Sequence, residues 1–255
     1  MPIASNGDVD LYYETAGTGE TVAFVGDVGF GAWQWGWQHA AVAGPYEALV
    51  ADLRGAGRSD APPGPYAVSE FVDDLTAVLS DAGARSAHVV GAGLGGLVGL
   101  GAALDTARVD SLVLIGTAAR GDGLDLDALW APPDDRDALE ASLRAGLSES
   151  FVDEHPDAVE RMVEWRASED APREAWEAQA AAVRAFDLTD RLYEVTEPAL
   201  VVHGEGDAVW PPARAERLAA GLPRGTYDPV DDAGHLVHVE ASGRVNDDLL
   251  GFLAD

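Results

Sequence analysis

Residues 88–96 read His-Val-Val-Gly-Ala-Gly-Leu-Gly-Gly (HVVGAGLGG). Val89 and Val90 suit a strand buried on both faces, because β-branched side chains pack well on a pleated surface. The alternate glycines Gly91, Gly93 and Gly95 then permit a sharp turn and a close approach between chain segments. Directly behind them, residues 94–104 (LGGLVGLGAAL) form an apolar run of helical length. A buried strand that turns without a linker into a helix is the repeating unit of a parallel sheet covered by helices.

The same alternation extends in both directions. Strands are predicted over 21–26 (TVAFVG), 48–53 (ALVADL), 87–91 (AHVVG), 110–116 (DSLVLIG) and 198–203 (PALVVH), and helices over 69–81, 94–104, 213–220 and 237–253. Antiparallel entry strands are expected within 8–16, closed by a turn at 17–19. Between residues 120 and 190 the pattern changes to acidic amphipathic helices with Trp130, Trp165 and Trp176 and no strand. An insertion of that kind reads as a helical cap over the carboxyl ends of the strands, where open α/β sheets place their ligands. The expected organisation is one α/β core, 1–119 with 191–255, and a cap insertion, 120–190.

Composition narrows the function classes. The 255 residues carry 45 Asp and Glu against 16 Lys and Arg, a formal charge of -29, and every one of the basic residues is arginine. Nucleic acids and anionic membranes are polyanions that bind through Lys and Arg, so neither is expected as a partner. Such a surface repels itself at low salt and is screened at high salt, which reads as halophilic adaptation. With 47% hydrophobic residues and 7 Trp the chain is too apolar for disorder by charge. The absence of cysteine removes disulfides, thiolate catalysis and thiolate metal sites. No signal segment or apolar run of about 18 residues is visible, so a cytoplasmic location is expected.

Gly91-Ala92-Gly93-Leu94-Gly95 resembles the G-x-S-x-G nucleophile elbow of the α/β-hydrolase superfamily, with Gly93 in the serine position. HGEGDAVWPP (203–212) resembles that superfamily's acid turn and DDAGHLVHVE (231–240) its final loop and helix. The resemblance implies an α/β-hydrolase fold in which Asp207 is the triad carboxylate and His235 the triad base. GDVGFGAWQW (26–35) is similar to the oxyanion loop, with Gly26 and Asp27 replacing the usual His-Gly. The implied oxyanion donors are the backbone N–H groups of Val28 and Leu94. DLRGAGRSDAPPGPY (52–66) resembles a superfamily loop, and its APPGPY extension looks most like 3-oxoadipate enol-lactonases. Read from its own residues, that loop is structural: Gly55 and Gly57 supply permissive angles and Arg54 an ion pair.

A glycine at position 93 lacks the attacking oxygen, and a carboxylate at position 27 repels the charge that builds up in ordinary ester cleavage. The expected function is therefore a hydrolase of a small ester or lactone in which His235, oriented by Asp207, activates a water lodged beside Gly93, with Asp27 assisting as acid or nucleophile. On this reading Gly93→Ser should restore esterase activity. Two alternatives stay open: a non-catalytic small-molecule binder or sensor, and a lyase or isomerase working by proton transfer. Trp35 and Trp130 are the expected substrate-facing aromatics, whereas Trp33 and Trp37, one helical turn apart, should pack between helix and sheet. No cofactor and no metal are implied: His39, His88, His155 and His203 show no defensible ligand spacing, and His238, three residues after His235 and able to share its helical face, would still need carboxylates placed by the fold.

Overall fold

The computed structural model describes residues 2–254. β1 (Ile3–Asn6) and β2 (Val9–Gly17) form a hairpin that turns at Gly7, whose φ of 61° lies in the left-handed region. Of the entry strands expected within 8–16 only β2 lies there; its partner β1 precedes that stretch, and the turn between them comes earlier than expected. Gly17–Gly19 instead leads into β3 (Thr21–Val25), which is buried along its whole length. β4 (Glu47–Ala51), β5 (Ala87–Ala92), β6 (Val109–Ile115), β7 (Ala199–Gly204) and β8 (Gly225–Val230) complete a sheet of order β1-β2-β4-β3-β5-β6-β7-β8. Pairing is antiparallel at β1·β2 and β2·β4 and parallel from β4 to β8. β8 was not legible in the sequence: its GTYDPV stretch contains a proline, which a sheet tolerates at its edge, and β8 is the edge strand.

Each face of the sheet buries its own core. Leu49, Val89, Leu97 and Leu112 belong to one cluster, and Phe24, Val50, Val90, Val113 and Leu249 to the other. The alternation of Val89 and Val90 between them follows from the two-residue period of a strand. α1 (Gly36–Val42), α2 (Val68–Asp81), α3 (Leu94–Asp105), α8 (Pro212–Gly221), α9 (Val237–Glu240) and α10 (Ser242–Leu253) flank the sheet. The single helix expected over 237–253 is broken at Ala241, whose φ and ψ of -107° and 34° are not helical. At the start of α3, a Cβ on Gly95 would collide with the backbone of Val25, so the glycines of the elbow are set by strand-to-helix contact.

Between β6 and β7 run α4 (Arg136–Gly146), α5 (Glu149–Glu154), α6 (Pro156–Glu169) and α7 (Arg173–Ala185). Buried Arg166 joins them: its Nε meets Asp170 at 2.5 Å, Nη1 donates to Ser142 Oγ at 2.6 Å, and Nη2 to the Leu129 carbonyl at 2.8 Å. This segment docks on the loops that leave the carboxyl ends of β3 and β4. Gln179 accepts the Gly29 N–H at 2.6 Å and donates to the Arg54 carbonyl at 2.8 Å, and Trp33 Nε1 donates to Asp170 at 2.9 Å. Arg54 is buried in a two-pronged pair with Asp74, both contacts at 2.6 Å, with Glu70 at 2.7 Å on the remaining nitrogen.

A charge of -29 on one domain makes its stability depend on salt. Between about 0.1 M and about 1 M KCl the Debye length contracts from about 10 Å to about 3 Å, so most of the repulsion between surface carboxylates is screened. The midpoint of thermal unfolding is expected to rise across that range. A midpoint that stays constant or falls would show that the acidic surface is not a salt-dependent feature.

Candidate active site

Three strand ends and one loop converge on the site. Gly93 follows β5 with φ 47° and ψ -109°, left-handed backbone that disfavours any side chain with a Cβ. Asp27 lies two residues beyond β3 and is completely buried, and a Cβ placed on Gly93 would overlap its carboxylate. Asp27 therefore occupies the space that a side chain at position 93 would need. The two departures noted in the sequence meet in space: the glycine of the elbow lies against the carboxylate of the neighbouring loop.

The Asp27 carboxylate is fully engaged. Its Oδ1 accepts the N–H groups of Val28 at 2.6 Å and Leu94 at 2.8 Å, the pair expected to form the oxyanion hole. Its Oδ2 accepts from His235 Nε2 at 2.7 Å. His235 Nδ1 in turn donates to Asp207 Oδ2 at 2.9 Å, and Asp207 Oδ1 accepts the N–H groups of Val209 and Trp210, each at 2.8 Å. An unbroken chain Asp207–His235–Asp27 thus ends in two backbone donors. His235 and Asp207 are buried with it.

Burial alone would lower the His235 pKa, but the Asp207 charge, with hydrogen bonds to Asp207 and Asp27, pushes it up to about 10. Burial alone would raise Asp207, yet His235 and His203 outweigh it and hold this carboxyl below the usual carboxylate range. With Nδ1 on Asp207 and Nε2 on Asp27, the ring has no free nitrogen to offer a water. The space where an activated water was expected beside Gly93 is filled by Asp27 itself.

The remaining sequence candidates are placed elsewhere. Trp35, expected to face a substrate, packs in the core against Phe24 at 5.2 Å and His238 at 4.8 Å between ring centroids. Trp37, expected to be sheet packing, meets Trp165 edge-on at 6.1 Å. Ala32–Trp35 is a 3-10 turn that runs into α1, so the period of about 3.6 residues does not hold from Trp33 to Trp37. Trp130 is half-buried and leans on Trp176 at 6.1 Å, with the Arg173 guanidinium 4.5 Å from its ring. His238 is buried, and burial together with the His235 charge pushes its pKa down to about 3. A cavity of about 210 Å3 lined by Tyr12, Glu14, Trp33, His39, Arg58 and Glu169 contains none of the relay residues.

Two further residues join the site that sequence reading passed over. His203 Nε2 lies 3.2 Å from Asp207 Oδ2 and 2.7 Å from the Trp210 carbonyl, so it braces the acid turn. Its place at the end of a buried strand, four residues before Asp207, was the available signal. Thr117 Oγ1 donates to the Gly93 carbonyl at 2.8 Å and fixes the elbow from β6. Nothing in a lone threonine announces that role.

Residues 23–248 match the Alpha/beta hydrolase family. The chain belongs to this family. Its fold is the α/β-hydrolase fold, as the elbow and its ordered partners implied, and the hydrolase expectation stands with it. It is 32% identical to the "Putative carbamate hydrolase RutD" of Azorhizobium caulinodans, over 100% of this chain and 99% of that one. It is 34% identical to the protein of the same name from Variovorax paradoxus, over 96% of each. Among solved structures it is similar to the enol-lactonase from Burkholderia xenovorans LB400, with a TM-score of 0.89, 24% identity and full coverage of both chains. It is also similar to Est816, described as an N-acyl homoserine lactone degrading enzyme, with a TM-score of 0.86, 28% identity and coverage of 98% and 100%. The alpha/beta hydrolase thus has relatives at high coverage whose names span carbamate and lactone chemistry.

Proposed function

We propose that the chain hydrolyses a small ester, lactone or carbamate through Asp27, His235 and Asp207, with no serine involved. The observation that carries this reading is the unbroken relay from Asp207 through His235 to Asp27 Oδ2, with Oδ1 held by two N–H donors. A side chain lost without replacement would leave a void beside Gly93. Here another acid fills it in hydrogen-bonded register, which keeps a reactive group on the imidazole. The names of the relatives supply the substrate classes: carbamate for RutD, lactone for Est816 and the enol-lactonase.

The segment 120–190 acts as the cap in this reading. Asp27 is out of contact with solvent, and Gln179 and the buried Trp176 of α7 lie against its loop at Gly29. Substrate reaches Asp27 once α7 moves. The acidic surface suits a protein that works at high salt.

Closure of the site also favours a second reading, a small-molecule binder on the same fold. Turnover of a panel of carbamates, esters and lactones in molar KCl separates the two. Wild type is expected to hydrolyse at least one class, and Asp27→Asn, equal in size, to lose at least about 100-fold in kcat. Saturable ligand binding with no hydrolysis across the panel would replace the enzyme by the binder.

A further inference from the structure

We propose a second ligand site, in the cleft between α1 and α6: a small aromatic carboxylate lays its ring on Trp37 and Trp165 and seats its carboxylate on Arg161. The inference goes beyond the hydrolase reading, since none of these residues belongs to the relay.

The cleft measures about 300 Å3 and is lined by Gly36, Trp37, Ala158, Arg161 and Trp165. That volume lies at the small end of what ligand sites occupy, so it suits a single ring with one substituent. On α6, Ala158, Arg161 and Trp165 recur at spacings of three and four residues and share one face. Opposite them α1 presents Gly36 and Trp37. One wall thus belongs to a helix that flanks the sheet, and the other to the segment between β6 and β7.

The lining residues point to a ligand rather than to packing. Gly36 has φ and ψ of -53° and -35°, ordinary helical values, and a Cβ there would meet nothing within 4 Å. Neither the backbone nor a neighbour requires a glycine at this place, where it weakens the helix that it begins. Its missing side chain leaves the cleft open. Trp37 and Trp165 meet edge-on at 6.1 Å with an interplanar angle of 78°, and Trp165 is 37% exposed. A third ring laid on that indole surface takes apolar area out of water and adds a further aromatic pair. Arg161 supplies the charge. Its Nε donates to the Asp157 carbonyl at 3.2 Å, and it forms no ion pair among the described residues, while Glu160 beside it is taken by Arg136 at 3.1 Å. A guanidinium left free in this way matches a carboxylate in both shape and charge.

The net charge of -29 opposes an anion at long range. In molar salt the Debye length is about 3 Å, so direct contact with Arg161 outweighs the distant carboxylates.

Calorimetric titration with benzoate in molar KCl tests the site on the whole wild-type chain, with benzamide as the uncharged analogue of the same size. One benzoate per chain is expected to bind saturably, at least about tenfold more tightly than benzamide, because only the carboxylate gains the charge-assisted contact. Arg161→Gln, a change at an exposed side chain, should lower the affinity for benzoate to that for benzamide. Gly36→Leu puts a side chain into the open space without backbone strain and should abolish binding of both. Thermal unfolding checks that the variants fold, and the two ligands compared on wild type decide even if they do not. Equal affinity for benzoate and benzamide, or no saturable binding of benzoate, would overturn the proposal. Undiminished benzoate binding by folded Gly36→Leu would also overturn it, since the ligand would then sit elsewhere. No readout uses turnover, so the outcome is independent of the hydrolase reading.

Discussion

Gly93→Ser is expected to destabilise the protein by about 3 kcal/mol or more and to add no esterase activity, whereas the double variant Asp27→Gly/Gly93→Ser should fold and gain it. The reason is spatial. The sequence alone makes residue 93 look like a serine site waiting for its hydroxyl, and the single substitution then looks like a repair. In the folded protein a Cβ at 93 overlaps the Asp27 carboxylate, and the backbone there has φ 47°. The serine would also bury its hydroxyl against a carboxylate that already has two donors on Oδ1 and one on Oδ2. Removing the Asp27 side chain clears the space and vacates the Val28 and Leu94 donors for a substrate oxygen. It also leaves His235 with one carboxylate partner, Asp207, in the arrangement of a triad. We expect the double variant to cleave an activated acetate ester about 100-fold or more faster than wild type, because a complete triad contributes far more than that and the hole is already built. Thermal unfolding of the two variants and initial rates on the ester check the prediction. A single variant as stable as wild type and as active as the double would show that the two residues do not compete for one space.

Raising pH toward about 10 should unload the buried Asp207–His235–Asp27 cluster, and His235→Gln should cost about 3–5 kcal/mol at neutral pH, as expected when a buried charge loses its partner. The sign follows from linkage. The His235 pKa is about 10 folded against an ordinary value of 6.5, so the folded state holds the proton more tightly. The stabilisation is complete below about 6.5 and declines as pH rises to about 10. On the acid side the order is different. His238 is held neutral down to about 3, so the unfolded state takes up that proton first and stability falls as pH drops below about 6.5. Asp207, lowered by His235 and His203, adds a further loss below the ordinary carboxylate range. Stability should therefore peak near neutral pH, with the alkaline limb belonging to His235 and the first acid limb to His238. In His235→Gln the alkaline limb should flatten, and in His238→Phe, which keeps a ring against Trp35, the first acid limb should flatten. Unfolding midpoints measured from about pH 4 to about pH 10 decide it; an unchanged alkaline limb in His235→Gln would contradict the assignment.

Much of this was written in local pattern. The strands around 21–26, 48–53, 87–91, 110–116 and 198–203 are found within two residues of their expected bounds, because each is a short apolar run buried on both faces. The elements that escaped reading are those whose local signal was weak or misleading. β8 is a half-exposed edge strand containing Pro229, and the break falls at Ala241, a good helix former, with only Gly243 beyond it as a local signal.

The amino-acid order alone determined the α/β-hydrolase architecture, the absent hydroxyl at position 93, and the spacing that brings Asp207 and His235 to adjacent strand ends. Those features are local: each is a short motif whose backbone geometry its own residues dictate. Only the tertiary structure decided that Asp27 fills the space at Gly93, takes the Val28 and Leu94 donors for itself, and hydrogen-bonds His235. Residues 27, 93 and 235 are far apart in the chain, and their contact depends on how β3, β5 and the final loop pack. Packing at that distance is set by the sum of the core contacts on both faces of the sheet, which no short window of sequence contains.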